Sequence, residues 1–261
     1  MSDTPWWGEF DIAEQQTIAW LMGQRQLAVR RESNEYYLWN IAHEETSDQA
    51  IAIKRYYSAD DLGNTGLIRH LSKATDNCVI VAPRLADRSF IAKPSAILKV
   101  LPEGEAQIYV STPLWFSMKT PGGITLIDTP WQRPSDSWFG PSTREGELCY
   151  AKYTDARLNY EKIEHHNYRA VTPVNIINRH EEVLSIERIS VPVRLLQLYH
   201  DENLNLWTQP LTIIRETGED NAEIQLGSQN PDDLPSLNPV NDARDLSEEK
   251  TLMRNLTSLL S

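Results

Sequence analysis

The chain has 261 residues, enough for one large or two ordinary domains, because a single hydrophobic core serves roughly 100 to 200 residues. Its eight tryptophans and ten tyrosines, against four phenylalanines, favour strands, where aromatic side chains pack well on a pleated face. The formal net charge of −12 argues against binding to nucleic acid or anionic membranes, which depends on Lys and Arg, so we expect no nucleic-acid partner.

The first residues, MSDTPWWGEFDIAEQQ, are acidic and polar where a secretion signal needs positive charge and then an apolar stretch. The sequence has no apolar run near the roughly 20 residues that a membrane helix requires. We therefore expect a cytoplasmic protein that does not itself span a membrane. Cys78 and Cys149 lie in strand-like segments and are predicted to be buried reduced thiols, with a disulfide or a reactive thiol as the alternative.

Short strand-like segments recur along the chain, each bounded by Gly, Pro, Asn, Asp or Ser. Between them there is almost no helical period, apart from residues 67–74, where a short helical turn can form. Strands do not alternate with helices as in a parallel α/β fold, so the pattern predicts an all-β protein with antiparallel strands. The predicted strands are residues 17–22, 26–31, 35–41, 50–57, 78–83, 95–101, 106–111, 123–128, 146–153, 173–178, 193–199, 210–216 and 222–227.

Two segments, residues 94–114 and 192–211, share one order of features: proline, strand, acidic turn, strand, and then a Thr-Pro-Leu or Thr-Gln-Pro-Leu run. Such matches also arise by chance in β-rich sequences. A true duplication implies two similar β-sandwich units.

We predict two antiparallel β-sandwich-like units, residues 1–140 and residues 141–227. The boundary falls in the stretch 130–147, whose prolines, glycines and serines resist regular strand pairing.

Residues 228–241 are rich in proline and are predicted to form an extended linker. Residues 242–261 are predicted to form a C-terminal amphipathic helix, because Ser247 is suited to cap it and Glu248 and Glu249 complement the helix dipole. The helix either packs on its own domain or meets another chain. Its apolar face consists of Leu252, Met253, Leu256, Leu259 and Leu260.

Large aromatic side chains are concentrated between Pro113 and Tyr150, among loop-forming residues. Exposed indole faces can stack on sugar rings or nucleobases, with arginines supplying hydrogen bonds at the rim. Alternatively, the rings close the ends of the sandwich and seal the domain junction. The candidate binding residues, centred on an aromatic loop at residues 131–139, are Trp115, Trp131, Arg133, Trp138, Phe139 and Arg144.

No spacing of residues indicates a catalytic, metal or cofactor site, and we predict none. His165 and His166 are adjacent, and adjacent strand residues point to opposite faces, so they share an ion only if the backbone there is a loop. The sequence lacks HExxH, CxxC and G-x-S-x-G motifs. Glu145 and Glu147 form the kind of pair that glycoside hydrolysis uses, but a chain with 37 acidic residues contains many such pairs by chance.

The segments WFGPSTREGELCYAKYTDARL (138–158) and ISVPVRLLQLYHDENLNLWTQPLTIIRE (189–216) resemble an uncharacterised prokaryotic family of unknown function. The resemblance rests on a Trp-Phe-Gly-Pro run followed by a Gly-Glu-Leu-Cys-Tyr strand, and it covers most of residues 5–227. It implies no activity, cofactor or catalytic residue. Because some members are encoded near small-conductance mechanosensitive channels, it implies a mechanosensitive-type membrane channel as a partner.

We expect a non-enzymatic interaction protein or accessory subunit, in which the β units supply a recognition surface. The C-terminal helix then docks on a protein partner or on a second copy of the chain. The alternative is a ligand- or carbohydrate-binding β-sandwich, with or without hydrolytic activity, that uses the aromatic loop. An enzymatic function stays open, although a non-enzymatic one is favoured.

Overall fold

The computed structural model describes residues 5–42, 51–57, 62–140, 142, 144–151, 155–159, 162–217, 221–227, 236–245 and 251–255. Within these ranges the regular elements are β-strands and a 3-10 helix at Val193–Leu195, and no α-helix occurs. Most strand pairs are antiparallel. The predicted all-β class is therefore confirmed.

The strands are short, and most have Gly, Pro, Asn or Asp at an end or immediately next to it, as the sequence pattern predicted. The first twelve are β1 (Gly8–Asp11), β2 (Thr17–Met22), β3 (Arg25–Arg31), β4 (Glu35–Ala42), β5 (Ala52–Tyr56), β6 (Leu67–Leu71), β7 (Cys78–Arg84), β8 (Phe90–Ala92), β9 (Leu98–Val100), β10 (Gly104–Pro113), β11 (Trp115–Lys119) and β12 (Thr125–Pro130). The others are β13 (Ser135–Phe139), β14 (Glu147–Ala151), β15 (Asp155–Arg157), β16 (Arg169–Asn178), β17 (Leu184–Ile186), β18 (Ile189–Val191), β19 (Leu198–His200), β20 (Leu206–Thr208), β21 (Leu211–Arg215), β22 (Asn221–Leu226), β23 (Asn238–Asn241) and β24 (Thr251–Asn255).

The chain divides into two units that are not continuous in sequence. Unit 1 consists of Met1–Arg84 and Trp115–Trp131, and unit 2 consists of Leu85–Leu114 and Gln132–Ser261. The predicted boundary at residues 140 and 141 lies between β13 and β14, which pair with each other inside unit 2.

Unit 1 contains two sheets, with strand orders β1-β7-β11-β12 and β5-β2-β3-β4-β6. All six residues of β2 are buried, so this strand reads as a continuous apolar run. A two-residue turn joins β2 to β3, and its Gly23 has a φ of 52°, which a glycine adopts without steric cost. Residues 67–74, where a helical turn was considered, contain the edge strand β6, paired with β4.

Part of the core of unit 1 is an aromatic cluster to which both of its sheets contribute. The Trp20 ring of β2 lies 5.3 Å from the Phe116 ring of β11, and both side chains are fully buried. Trp6 stacks on Phe116 with 5.9 Å between ring centroids. The unusual number of tryptophans is therefore used, in part, to fill this core.

Unit 2 contains a large mixed sheet in which β16 is the central strand. β16 pairs antiparallel with β10 along its whole length and parallel with β20 and β21. β15 pairs with β10, and the remaining strands extend the sheet in the orders β20-β19-β23 and β21-β22-β24. A second sheet has the order β13-β14-β8-β18, and β9 pairs with β17.

The prediction of a C-terminal helix is wrong for the residues that the structure describes there. Thr251–Asn255 form β24, in which Leu252 pairs with Ile224 and Met253 pairs with Glu223 of β22. The five-residue segment is too short for its period to separate strand from helix, and pairing with the edge of a sheet overrides a local helical preference. Leu256, Leu259 and Leu260 lie outside the described residues.

The two segments that resemble each other have different pairing partners. In residues 192–211, β19 and β20 form a hairpin, whereas in residues 94–114 β9 pairs with β17 and β10 pairs with β15 and β16. The end of the predicted linker, Asn238–Asn241, is strand β23 and pairs with β19.

Candidate functional site

The best candidate site is an open pocket of about 390 Å³ that lies entirely within unit 2. It is formed by β10, β15, the start of β16 and the connection that precedes β16. Its lining residues are Tyr109, Ser111, Gln132, Arg157, Lys162, Ile163, Glu164, His166, Tyr168 and Arg169.

Strand pairing explains why residues distant in sequence meet in this pocket. Tyr109 and Ser111 are two apart on β10 and therefore share a face of the sheet. Arg157 of β15 lies directly opposite Tyr109 in the ladder. Arg169 is the first residue of β16, opposite Pro113. The two strands that pair with β10, β15 and β16, thus each place one arginine on the same wall of the pocket.

Ser111 holds the guanidinium of Arg169 in place. Arg169 Nε donates to Ser111 Oγ at 2.8 Å, and Arg169 Nη2 donates to the Ser111 carbonyl at 2.8 Å. Because two donors of one planar group are fixed by one residue, the orientation of the guanidinium is set before any ligand arrives.

The lining is predominantly cationic. Arg157, Lys162 and Arg169 each carry a positive charge, whereas Glu164 supplies the one carboxylate among the described lining residues. That carboxylate lies 3.6 Å from His166 Nε2 and points largely into solvent, its side chain being 89% exposed. An acidic protein thus presents a positively charged pocket.

The connection before β16 places its two histidines in different surroundings. His166 lines the pocket and stacks on Tyr168, with ring centroids 5.2 Å apart and planes inclined by 28°. The ring centroid of His165 lies 5.3 Å from that of Trp207 instead. Burial lowers the pKa of the His165 imidazole. Among the described residues, no group of three or more His, Cys, Asp or Glu side chains is placed to hold a metal ion.

A family model described as a protein of unknown function, DUF432, matches residues 6–259. The chain belongs to the DUF432 family. The predicted resemblance to an uncharacterised domain family is therefore confirmed. The match includes every residue that lines the pocket of this DUF432 chain. No curated protein and no solved structure matches it.

The aromatic residues of the DUF432 chain that were predicted to bind a ligand are divided between its two units. Trp115 and Trp131 are buried in unit 1, where the Trp131 ring lies 5.2 Å from the Phe116 ring. Trp138 and Phe139 belong to unit 2 and lie on β13, so the second half of the predicted loop is a strand.

Within unit 2, only part of the predicted set is accessible. Trp138 is 44% exposed and donates from Nε1 to the Ser142 carbonyl at 2.8 Å. Phe139 is buried, and the Arg188 guanidinium lies 5.3 Å from its ring centroid. Arg133 and Arg144 are exposed.

Sequence reasoning did not identify the pocket of the DUF432 chain, although it examined His166. The residues that it overlooked are Tyr109, Ser111, Arg157, Lys162, Tyr168 and Arg169. A usable signal was the alternation of Tyr109 and Ser111 on a predicted strand, which places two hydroxyls on one face.

In the part of this DUF432 chain that the structure describes, no helix is long and apolar enough to cross a bilayer.

Proposed function

We propose that the chain is a non-enzymatic binding protein for a small anionic ligand, which it holds in the unit 2 pocket. The observation that carries this proposal is the concentration of Arg157, Lys162 and Arg169 in one lining. The site differs from the predicted aromatic loop, but the function falls within the ligand-binding alternative.

The charge distribution supports an anion as the ligand. Like charges that line one pocket repel each other, and a bound anion replaces that repulsion by charge-assisted hydrogen bonds. The whole chain has a formal charge of −12, so its cationic pocket contrasts with the rest of the molecule. This contrast favours a specific site over general attraction of anions to the surface.

The chemistry of the lining favours binding over catalysis. Arg157, Lys162 and the fixed Arg169 are hydrogen-bond donors and cannot accept, which suits them to hold an anion. Glu164 and His166 lie side by side, yet the carboxylate is almost fully solvated and is poorly suited to act as a base.

Three finer predictions accompany the proposal. Contact between Trp20 and Phe116, from different sheets, supports a sandwich-like packing in unit 1. Neither Cys78 nor Cys149 forms a disulfide bond, which supports a cytoplasmic location. The protein partner, including a mechanosensitive-type channel, stays a prediction, and the strand Thr251–Asn255 removes the predicted helical face from these residues.

Calorimetric titration of the full chain with inorganic phosphate at low salt tests the proposal. The substitutions Arg157→Gln and Lys162→Gln each remove a charge-assisted hydrogen bond of about 1.5–3 kcal/mol, so we expect each variant to bind phosphate about 10- to 150-fold more weakly. Affinity is also expected to fall as sodium chloride is raised.

The matched control is Lys99→Gln, which removes an exposed cation from β9 of the same unit but outside the pocket lining. Phosphate affinity should equal that of the wild type. If the wild type binds no phosphate, or if all three variants bind it equally well, the pocket is not an anion site.

A further inference from the structure

The pocket lining has two chemically distinct parts. One part is the set of cations described above, and the other is a group of rings contributed by Tyr109, His166 and Tyr168. The volume of about 390 Å³ lies in the range of about 300–1,000 Å³ typical of sites for small organic molecules. A bare inorganic anion would use the cations and leave the rings without a function.

The rings are arranged so that a planar group from the ligand can extend an existing stack. Tyr168 is 6% exposed and forms the inner ring of the pair. His166 stacks on it and is the more accessible ring, with its side chain 24% exposed. Stacking of a nucleobase on such a ring contributes about 1–3 kcal/mol and does not depend on which base it is.

The charges fit one phosphate monoester. Among the residues that the structure describes, the lining has three cationic side chains and one carboxylate, a formal net charge of +2 with histidine counted as neutral. A phosphate monoester carries about −1.5 to −2 charges at neutral pH and presents three acceptor oxygens. Arg157, Lys162 and Arg169 together match that number of acceptors.

We propose that the ligand is a nucleoside monophosphate, whose phosphate binds to Arg157, Lys162 and Arg169 and whose base stacks on His166. This inference rests on the proposed anion-binding function and deepens it. It makes the base and the phosphate separately necessary for tight binding, so each part can be tested alone.

The test compares AMP, ribose 5-phosphate, adenosine and inorganic phosphate by calorimetry with the full chain at one pH and one salt concentration. AMP is expected to bind about 5- to 150-fold more tightly than ribose 5-phosphate, the factor that corresponds to about 1–3 kcal/mol of base stacking. In the His166→Ala variant the ratio of the affinities for AMP and ribose 5-phosphate should fall to about one. His166→Phe keeps a ring at this position and should retain the preference.

The outcomes separate the two proposals. Equal affinities for AMP and ribose 5-phosphate, or a preference for AMP that survives in His166→Ala, would overturn the nucleotide assignment and leave the anion site intact. If neither phosphate ester nor inorganic phosphate binds, the anion-binding function itself fails. Thermal unfolding midpoints of both variants, compared with that of the wild type, show whether a lost preference reflects a lost fold.

Discussion

Among single residues, Gly140 and Gly146 mark a close approach of the two strands that form the β13–β14 hairpin. A Cβ atom on Gly146 would lie 2.5 Å from the Phe139 carbonyl oxygen and 2.8 Å from Trp138 Nε1. A Cβ atom on Gly140 would lie 2.3 Å from the Glu145 carbonyl oxygen. The hairpin therefore has no room for a side chain at either position.

We expect Gly146→Ala to lower the free energy of unfolding by about 2 kcal/mol, because the new methyl group must displace backbone. Urea denaturation followed by circular dichroism measures this change. The control is Gly122→Ala, where the nearest atom, Thr120 Oγ1, would be 3.7 Å from the Cβ, and we expect a change within about 0.5 kcal/mol. Equal effects of the two substitutions would contradict the close approach.

Residue type alone does not show which side chains are accessible to a ligand, because that also depends on whether the backbone is a loop or a strand. Trp138 and Phe139 are predicted from the sequence to bind a ligand from one loop. On a strand, however, neighbouring side chains point to opposite faces. One is accordingly 44% exposed and the other 1%. Arg157 and Arg169 line the same pocket because their strands, β15 and β16, both pair with β10. Residue spacing along the sequence does not reveal this pairing, so sequence motifs could not predict the pocket.

Among the elements, the edge strand β6 shows how an ion pair secures a strand with exposed apolar residues. Arg69 of β6 donates to the Glu35 carboxylate of β4 from Nε at 2.9 Å and from Nη2 at 2.6 Å. The pKa of Glu35 lies below its ordinary value mainly because Arg69 donates hydrogen bonds to the carboxylate. The Tyr37 hydroxyl donates a further hydrogen bond to it.

Because the pKa of Glu35 is lower in the folded state than in the unfolded state, its ionised form stabilises the fold above about pH 4.3. This stabilisation is lost as the pH falls through the lowered pKa. We expect Arg69→Gln to lower the free energy of unfolding at pH 7. Between pH 5 and pH 3 the variant should lose less of its unfolding free energy than the wild type does, as measured by urea denaturation. In a Glu35→Gln background, Arg69→Gln should no longer change the pH dependence; a persisting change would assign the effect to another carboxylate.

Many strands could be predicted because alternation and turn residues are local signals. Residues 78–83 and 35–41 were predicted as strands and correspond to β7 and β4. The C-terminal segment failed because Leu252 and Met253 fit a helical stripe equally well, and the edge of β22 that pairs with them lies far away in sequence. Strand order was equally inaccessible, since β16 pairs with β10, β20 and β21 through long-range contacts.

For the whole molecule, the discontinuous units predict which fragments fold. Residues 141–227, predicted as a separate unit, lack β10, which pairs with β16 from Gly104 opposite Asn178 to Pro113 opposite Arg169. We expect this fragment to give poorly dispersed amide signals in a proton–nitrogen NMR spectrum. Joining residues 85–114 to residues 132–261 by a flexible linker of about ten Gly and Ser residues restores the missing strand, and we expect dispersed signals. Dispersed signals from both fragments would show that β10 is dispensable.

The interleaving of the two units also determines how the chain can fold while it is being made. All of unit 1 has been synthesised by Trp131, whereas β10 must wait for β16, which ends at Asn178. At a ribosomal rate of about 5–20 residues per second, the interval between the ends of β10 and β16 is roughly 3–13 seconds. During that time Ile108, which is buried in the finished protein, lacks its partner Val174 of β16. A nascent chain paused between these two points is thus the form of this protein that most requires a chaperone.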